Sequence, residues 1–192
     1  CPSSAMYGTA RTLAPGRHQH TAALETVGAA GSSGGLFFIN APTYQARIGL
    51  HERLDLGLRV PNLSSLGADL KIGLVRGRVD LAVMPSVQGG YYGVAVTGGG
   101  SSASVGGGLF YGSVPVVLGI NASRAFSVVA HVGPGVAVAG GSAGAGGTSY
   151  TGISGGSGFA LRYGLGANIR ITDFFALHPE VSGFTVFGNG TS

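Results

Sequence analysis

Apolar side chains recur at every second position along most of this 192-residue chain. The segment from Leu54 to Val60 is one such run, and the longer segment from Phe159 to Ile171 is another. A period of two is the signature of β-strands whose two faces meet different surroundings. The pattern therefore predicts an all-β chain.

The glycine content excludes two other classes of protein. Of the 192 residues, 38 are Gly, and each Gly in a helix costs about 1 kcal/mol relative to Ala, so a helical bundle is excluded. Disordered chains are poor in hydrophobic residues and rich in charge, whereas 44% of this chain is hydrophobic and only 9% is charged. The alternation therefore belongs to a folded β-sheet protein.

Connections of two lengths separate the alternating runs. The longer ones are rich in Gly and Ser and cover about residues 88–108 and 139–158. Short and long connections that alternate along the chain are typical of antiparallel hairpins arranged as a meander. The short polar connections are His51–Arg53, Arg76–Arg78, Asn121–Arg124 and Thr172–Asp173.

The polar face of the strands separates two all-β classes. A soluble β-sandwich also alternates, but its solvated face is normally rich in long polar side chains. Here the polar face consists mostly of Gly, Ala and Ser with a few charges of both signs, which suits a crowded interior, and the apolar face carries no charge. We expect an internal ion-pair network formed by Arg47, Asp55, Arg59, Asp69, Lys71, Asp80, Arg162, Arg170 and Glu180.

Two hairpins carry a resemblance to a known family. Ala46–Arg59 and Gly164–Glu180 each contain an apolar, glycine-rich strand, a polar turn and a second strand that restarts with Leu or an aromatic residue. They resemble the periplasmic hairpins of small bacterial outer-membrane β-barrels, and the alternating pattern covers about residues 17–188. The resemblance implies a transmembrane antiparallel meander β-barrel.

Strand number is the open point of this interpretation. The pattern predicts eight strands from Thr43 to Phe187, and Arg17–Gly28 is a candidate for a ninth. Single-chain bacterial barrels usually have an even number of strands. We favour eight strands, with nine or ten as the alternatives.

Cys1 is the only cysteine, and the polar residues Pro2, Ser3 and Ser4 follow it. This start resembles that of a mature bacterial lipoprotein. The resemblance implies a diacylglyceryl group and an acyl chain on Cys1, with no other cofactor. It also implies a lipid-anchored tether over residues 1–16, a barrel over residues 17–192, and a location in the bacterial outer membrane.

The expected role is structural or interactive. Glycine-rich loops on a rigid barrel would be presented to neighbouring copies or to another envelope protein. Tyr91, Tyr92 and Tyr150 are candidate contacts in these loops, since Tyr is enriched in interface cores. Membrane lipids are the other expected partner. A small pore and a soluble sandwich tethered by its lipid are alternatives.

A lipid-modifying enzyme is a further alternative. Some eight-stranded outer-membrane barrels deacylate or acylate lipid A with His, Ser and an acid, and this chain supplies those residue types. Buried charges in structural roles must also be paired, so we expect a structural network and assign no catalytic residue. The candidates are Ser127, His131, His178, Glu180 and Ser182.

Metal and nucleic-acid binding are not expected. His18 and His20 could share a strand face, but no carboxylate or cysteine lies close to them in the sequence, and metal sites require three or four ligands. The 11 basic residues are spread singly along the chain, whereas nucleic-acid binding requires a clustered basic patch.

Overall fold

The computed structural model describes residues 5–6, 8–30, 36–61, 65–98, 101–145, 148–173 and 175–187. These residues form twelve β-strands in one antiparallel sheet. Within the described ranges, no helix is long and apolar enough to cross a membrane. The expectation of an antiparallel all-β chain is confirmed.

The strands follow one another along the chain with short connections. In chain order they are β1 (His18–Ala30), β2 (Leu36–His51), β3 (Leu54–Pro61), β4 (Ser65–Val75), β5 (Val79–Val83), β6 (Ser86–Gly98), β7 (Ser101–Ser113), β8 (Val116–Asn121), β9 (Phe126–Ala145), β10 (Thr148–Arg170), β11 (Ala176–Leu177) and β12 (Glu180–Phe187).

Three prolines divide longer runs into pairs of strands. Pro85 separates β5 from β6, Pro115 separates β7 from β8, and Pro179 separates β11 from β12. Proline has no N–H group and so interrupts a ladder of hydrogen bonds. Each proline carbonyl nevertheless accepts a hydrogen bond from a neighbouring strand, for example from the Leu70 amide to Pro85 at 2.9 Å. Each pair is therefore one continuous run within the sheet.

Counted as continuous runs, the described sheet has nine strands, and this corrects the preference for eight. The difference is β1, which pairs with β2 over its whole length, from His18 opposite Ile48 to Ala30 opposite Leu36. Its sequence contains mostly polar and small residues, so its apolar alternation is weak. The backbone ladder with β2 makes it a strand regardless of this composition.

The two predicted glycine-rich loops are also corrected. The described residues of 88–108 lie in β6 and β7, and those of 139–158 lie in β9 and β10. Gly is disfavoured in isolated strands, but β7 pairs with β9 as well as with β6. Of the four strands, β7 and β9 therefore have hydrogen-bond partners on both edges, and the ladders override the local preference.

The sheet is strongly curved. Arg59 on β3 and Arg162 on β10 both donate hydrogen bonds to the carbonyl oxygen of Ala5, at 3.0 and 2.8 Å. Five strand-to-strand steps separate β3 from β10, which is about 24 Å in a flat sheet at ~4.8 Å per step. The sheet must therefore bend to bring these side chains to one atom, which gives it a concave inner face.

The N-terminal segment, described at residues 5–6 and 8–16, lies against this inner face. Met6 and Ala10 are buried in a cluster with four apolar residues of the sheet, namely Ala82, Met84, Val117 and Val129. The turn at its end contains Gly16, whose φ is 72°, a conformation that Gly adopts without strain. The described part of the predicted tether is therefore packed inside the sheet.

Candidate functional site

Arg47 joins the buried acidic residues of two neighbouring strands. Its Nη1 donates to Asp55 on β3, and its Nη2 donates to Asp69 on β4. All three side chains lie on the inner face and are buried. Alternate residues of a strand share a face, so the period of two places these charges together across β2, β3 and β4.

Gly57 makes room for this group. It is opposite Arg47 in the β2–β3 ladder and opposite Asp69 in the β3–β4 ladder. A Cβ atom at position 57 would lie 2.6 Å from Arg47 Nη2 and 2.8 Å from Asp69 Oδ1. A side chain there would push the ion pairs apart, which explains why a glycine occupies the centre of the network.

Three other buried cations donate to the backbone of the N-terminal segment. Arg59 and Arg162 are 1% and 0% exposed, and their donors meet at the Ala5 carbonyl oxygen. Lys71 Nζ donates to the carbonyl oxygen of Thr9 at 2.7 Å. Buried charges require hydrogen-bond partners, and for these residues the N-terminal segment supplies some of them.

Polar contacts hold the other end of the segment near the short turns. Arg11 Nε lies 3.0 Å from Asp80 Oδ2, which also accepts from Asn121 Nδ2 at 2.8 Å. The Leu13 amide donates to Asp55 Oδ2 at 3.0 Å, and Arg76 donates to the Thr12 hydroxyl. The segment is thus bound along its whole described length.

Glu180 is the centre of a second buried group. Its Oε1 lies 3.2 Å from His131 Nε2, and its Oε2 lies 3.2 Å from His178 Nε2. The backbone amide of Met6 donates to both carboxylate oxygens, at 2.8 and 3.0 Å. The structure thus brings together three of the five residues considered for catalysis.

The two serines of that set lie on the same inner face. Ser127 is buried on β9, four residues before His131. Ser182 is next to Gly164, where an added Cβ would lie 2.8 Å from the Ser182 Cβ. Gly164 is paired with His131 in the β9–β10 ladder.

The structure places one residue of the predicted ion-pair network differently. Arg170 is exposed at the end of β10, and so it is not part of the buried network. Strand alternation assigns Arg170 to the polar face, but that face opens to solvent at the strand end. The other eight predicted network residues lie on the inner face.

The predicted contact and lipidation residues are only partly described. Tyr91 is 64% exposed on β6. Tyr92 and Tyr150 belong to β6 and β10, and their side chains lie outside the described part of the chain. Cys1 also lies outside it, so lipidation of Cys1 stays a prediction.

Histidine side chains on β1 do not assemble a metal site with described residues. His18 is exposed, and His20 Nδ1 lies 2.6 Å from the Tyr44 hydroxyl. No group of three or more His, Cys, Asp or Glu side chains that could hold a metal ion occurs in the described ranges.

The outer face is apolar. Large hydrophobic side chains on every continuous run of the sheet are exposed there, among them Leu24, Leu58, Leu66, Val132 and Leu165. Nine of the 18 charged residues are exposed, and all nine lie near the short turns, in the N-terminal segment or at the strand end of Arg170. Between the two ends of the strands, the charged side chains therefore lie on the inner face and the outer face is hydrocarbon.

Sequence reasoning missed the N-terminal segment as a partner of the inner face. The signal was a further period of two, since Met6, Gly8, Ala10 and Thr12 are all buried. Comparisons with protein-family models, with curated proteins and with solved structures find no match to this chain. The functional argument therefore rests on the geometry of the two faces.

Proposed function

We propose that this protein is a membrane-spanning β-barrel of the bacterial outer membrane with a structural or interactive role. The observation that carries the proposal is the inverted distribution of side chains. Charged residues such as Arg162 and Asp55 are fully buried, while leucines such as Leu165, 59% exposed, cover the outer face.

This distribution is costly for a protein in water. A soluble monomer rarely exposes a contiguous apolar patch larger than a few hundred Å², and it seldom buries Arg or Asp completely. In a bilayer the same outer face contacts hydrocarbon. The ladders satisfy the backbone polar groups between neighbouring strands, and the proposed barrel also requires its two edge strands, β1 and β12, to pair so that no open edge meets hydrocarbon.

The aromatic residues on the outer face support a bilayer as its partner. Phe126 is opposite Ile169 in the β9–β10 ladder, and Phe159 lies ten residues before Ile169 on β10. That spacing is about 33 Å along the strand, or about 25 Å along the membrane normal at a tilt of ~40°. This is the height of the apolar band between aromatic girdles in outer-membrane barrels.

The filled interior favours a structural role over free conduction. An eight-stranded barrel encloses just enough room for its own side chains. Nine runs enclose slightly more, and the N-terminal segment occupies that room with Met6 and Ala10. The charged groups around it have hydrogen-bond partners on the strands or on the segment, so the described interior is a packed core.

The long hairpins are the proposed contact surface. The β6–β7 and β9–β10 ladders extend to Gly98 opposite Ser101 and to Ala145 opposite Thr148. Tyr91, exposed on β6, would contact a neighbouring copy or another envelope protein.

A lipid-modifying enzyme is the second candidate, favoured by the His131–Glu180–His178 group. This group faces the interior and binds the Met6 amide, whereas acyl chains would contact the outer face. We therefore propose that the group is a structural anchor for the N-terminal segment.

A single charge on the outer face tests the membrane proposal. Leu165 lies between the levels of Phe159 and Phe126, near the middle of the proposed apolar band, and an Arg at the bilayer midplane costs about 2–4 kcal/mol. We expect Leu165→Arg to lower the free energy of unfolding by that amount in phosphatidylcholine vesicles, measured by urea titration and heat-modifiable gel migration. The matched control is Ile171→Arg, also exposed but next to the short turns, where the cost is about 0–1 kcal/mol.

Equal stability of the two variants would contradict the membrane proposal. Substitution of an exposed leucine on a soluble protein changes stability by no more than about 0.5 kcal/mol. Leu165→Arg would then behave like Ile171→Arg, and the tethered soluble sandwich would be the better interpretation.

The contact surface is tested by oligomeric state. We expect the native chain to self-associate in mild detergent, and a Tyr91→Ser/Tyr92→Ser variant to do so more weakly, as measured by light scattering. Tyr163→Ser is the control, since Tyr163 is also exposed but lies within the apolar band. A monomeric native chain would contradict self-association. If the Tyr91→Ser/Tyr92→Ser variant associates as strongly as the native chain, the contact does not involve these two residues.

A further inference from the structure

Every short connection of the sheet carries an exposed arginine. Arg53 lies between β2 and β3, Arg78 between β4 and β5, Arg124 between β8 and β9, and Arg170 where β10 ends. Arg17 precedes β1, and its carbonyl oxygen accepts from the Gly49 amide near the β2–β3 turn. We call these five residues the arginine rim.

The rim side chains have no protein partners within the described ranges. Arg11 and Arg76 are also exposed at this end, but their side chains bind Asp80 and Thr12. Of the seven acidic residues in the chain, only Glu52 and Asp173 are exposed. The turn end therefore carries a clear excess of positive charge that the protein itself does not neutralise.

The opposite end of the sheet carries no such charge. The β6–β7 hairpin, residues 86–113, and the part of the β9–β10 hairpin far from the short turns, residues 139–158, contain no Lys, Arg, Asp or Glu. The rim arginines are far apart in the sequence, but the antiparallel topology brings every short connection to one end. The basic cluster exists only in the folded sheet.

The surface next to the rim is apolar. Phe126 follows the Arg124 turn, and Phe175 follows Arg170 in the chain, in the connection between β10 and β11. Both residues are exposed at the turn end of the sheet. Val75 and Val79, which flank the Arg78 turn, are exposed as well. A row of guanidinium groups at the same end of the sheet as exposed aromatic and aliphatic side chains matches the boundary between headgroups and acyl chains.

We propose that the arginine rim binds the phosphate groups of anionic phospholipids in the leaflet on the turn side of the barrel. Guanidinium groups bind phosphate oxygens through two parallel hydrogen bonds. The proposal rests on the proposed membrane-spanning function and adds a lipid class and a side to it. Nucleic acid is disfavoured as the ligand because the cations follow the perimeter of an apolar surface.

The test compares lipid binding by three proteins in detergent micelles. They are the native chain, a variant with all five rim residues changed to Gln, and a variant with the same five changed to Lys. Each protein is given phosphatidylglycerol and phosphatidylcholine in equal amounts, and bound lipid is counted by native mass spectrometry. Heat-modifiable gel migration and insertion into phosphatidylcholine vesicles show that each variant is folded.

We expect the native chain to prefer phosphatidylglycerol by at least about tenfold, since each basic residue near an anionic surface contributes about fivefold. The Gln variant should lose the preference, and the Lys variant should keep most of it. Raising the salt concentration should weaken the preference of the native chain, because screening reduces the attraction between exposed charges.

Two results would overturn this inference but leave the proposed membrane function in place. They are equal binding of both lipids by a native chain that inserts into vesicles, and an unchanged preference in the Gln variant. If the lipids bind equally and duplex DNA binds in a way that depends on the rim, the rim is assigned to nucleic acid instead. A native chain that fails to insert into vesicles at all would overturn the proposed membrane function together with this inference.

Discussion

Arg47 is the residue on which the buried charge of three strands depends. It is the donor to both Asp55 and Asp69, so its loss leaves two carboxylates inside the sheet without their main partner. Alternation in the sequence is sufficient to place these residues on one face. It does not identify Arg59 and Arg162 as partners of Ala5, because that contact depends on the curvature of the whole sheet.

Substitution of Arg47 by Met is expected to destabilise the protein strongly. Removal of one member of a buried ion pair costs about 3–5 kcal/mol, because the remaining charge is uncompensated. The measurement is the free energy of unfolding from urea titration in detergent micelles. Arg124→Met is the control, since Arg124 is exposed in a turn. An Arg47→Met protein as stable as this control would contradict the ion-pair network.

Gly57→Ala is expected to destabilise the protein by about 1–3 kcal/mol, the usual cost of overpacking a filled interior. The new methyl group would meet Arg47 and Asp69. At Gly140 an added Cβ has no neighbour within 4 Å, so Gly140→Ala should be neutral or slightly stabilising. Equal effects in urea titrations of the two variants would show that the space beside Gly57 is not needed by the network.

At the scale of elements, the sequence predicts the short turns well and the glycine-rich strands poorly. The strand ends at His51 and Val75 lie beside the predicted connections, because charged turn residues interrupt the alternation. The sequence predicts loops over about residues 88–108 and 139–158 of the β6–β7 and β9–β10 hairpins, because Gly and Ser give little local preference for a strand. Their ladders depend on neighbours that are distant in the sequence, and a local pattern cannot show these.

A disulfide is expected to form between Ala10→Cys and Gly119→Cys when Cys1 is changed to Ser. A Cβ atom at Gly119 would lie 3.0 Å from the Ala10 Cβ, slightly below the usual 3.5–4.5 Å of a disulfide. Mild oxidation followed by mass spectrometry would detect the bond. In the control, Leu118→Cys replaces Gly119→Cys; Leu118 is exposed on the outer face, and it should form no bond. Equal yields in both proteins would contradict the position of the N-terminal segment.

At the scale of the whole molecule, the two faces and the two ends of the sheet have different chemistry. The inner face is charged and holds the N-terminal segment, the outer face is apolar, and the turn end is basic. Alternation predicts the two faces, because each residue's face depends only on its position in a strand. The segment and the arginine rim arise from topology, because they join residues that are far apart in the chain.

Removal of the N-terminal segment is expected to open the interior to ions. In the native chain Met6 and Ala10 fill part of the space between the strands, so purified protein should show no steady conductance in planar bilayers. Deletion of residues 5–13 removes this packing and the carbonyl groups that bind Arg59, Arg162 and Lys71. Water should then enter and solvate these cations, and single-channel recordings should show discrete openings.

The oxidised Ala10→Cys/Gly119→Cys protein, whose segment is fixed in place, should stay closed under the same conditions. Steady conductance from the native chain would contradict the filled interior. A deletion variant that migrates normally in the heat-modifiability assay but shows no channel openings would show that side chains alone close the barrel.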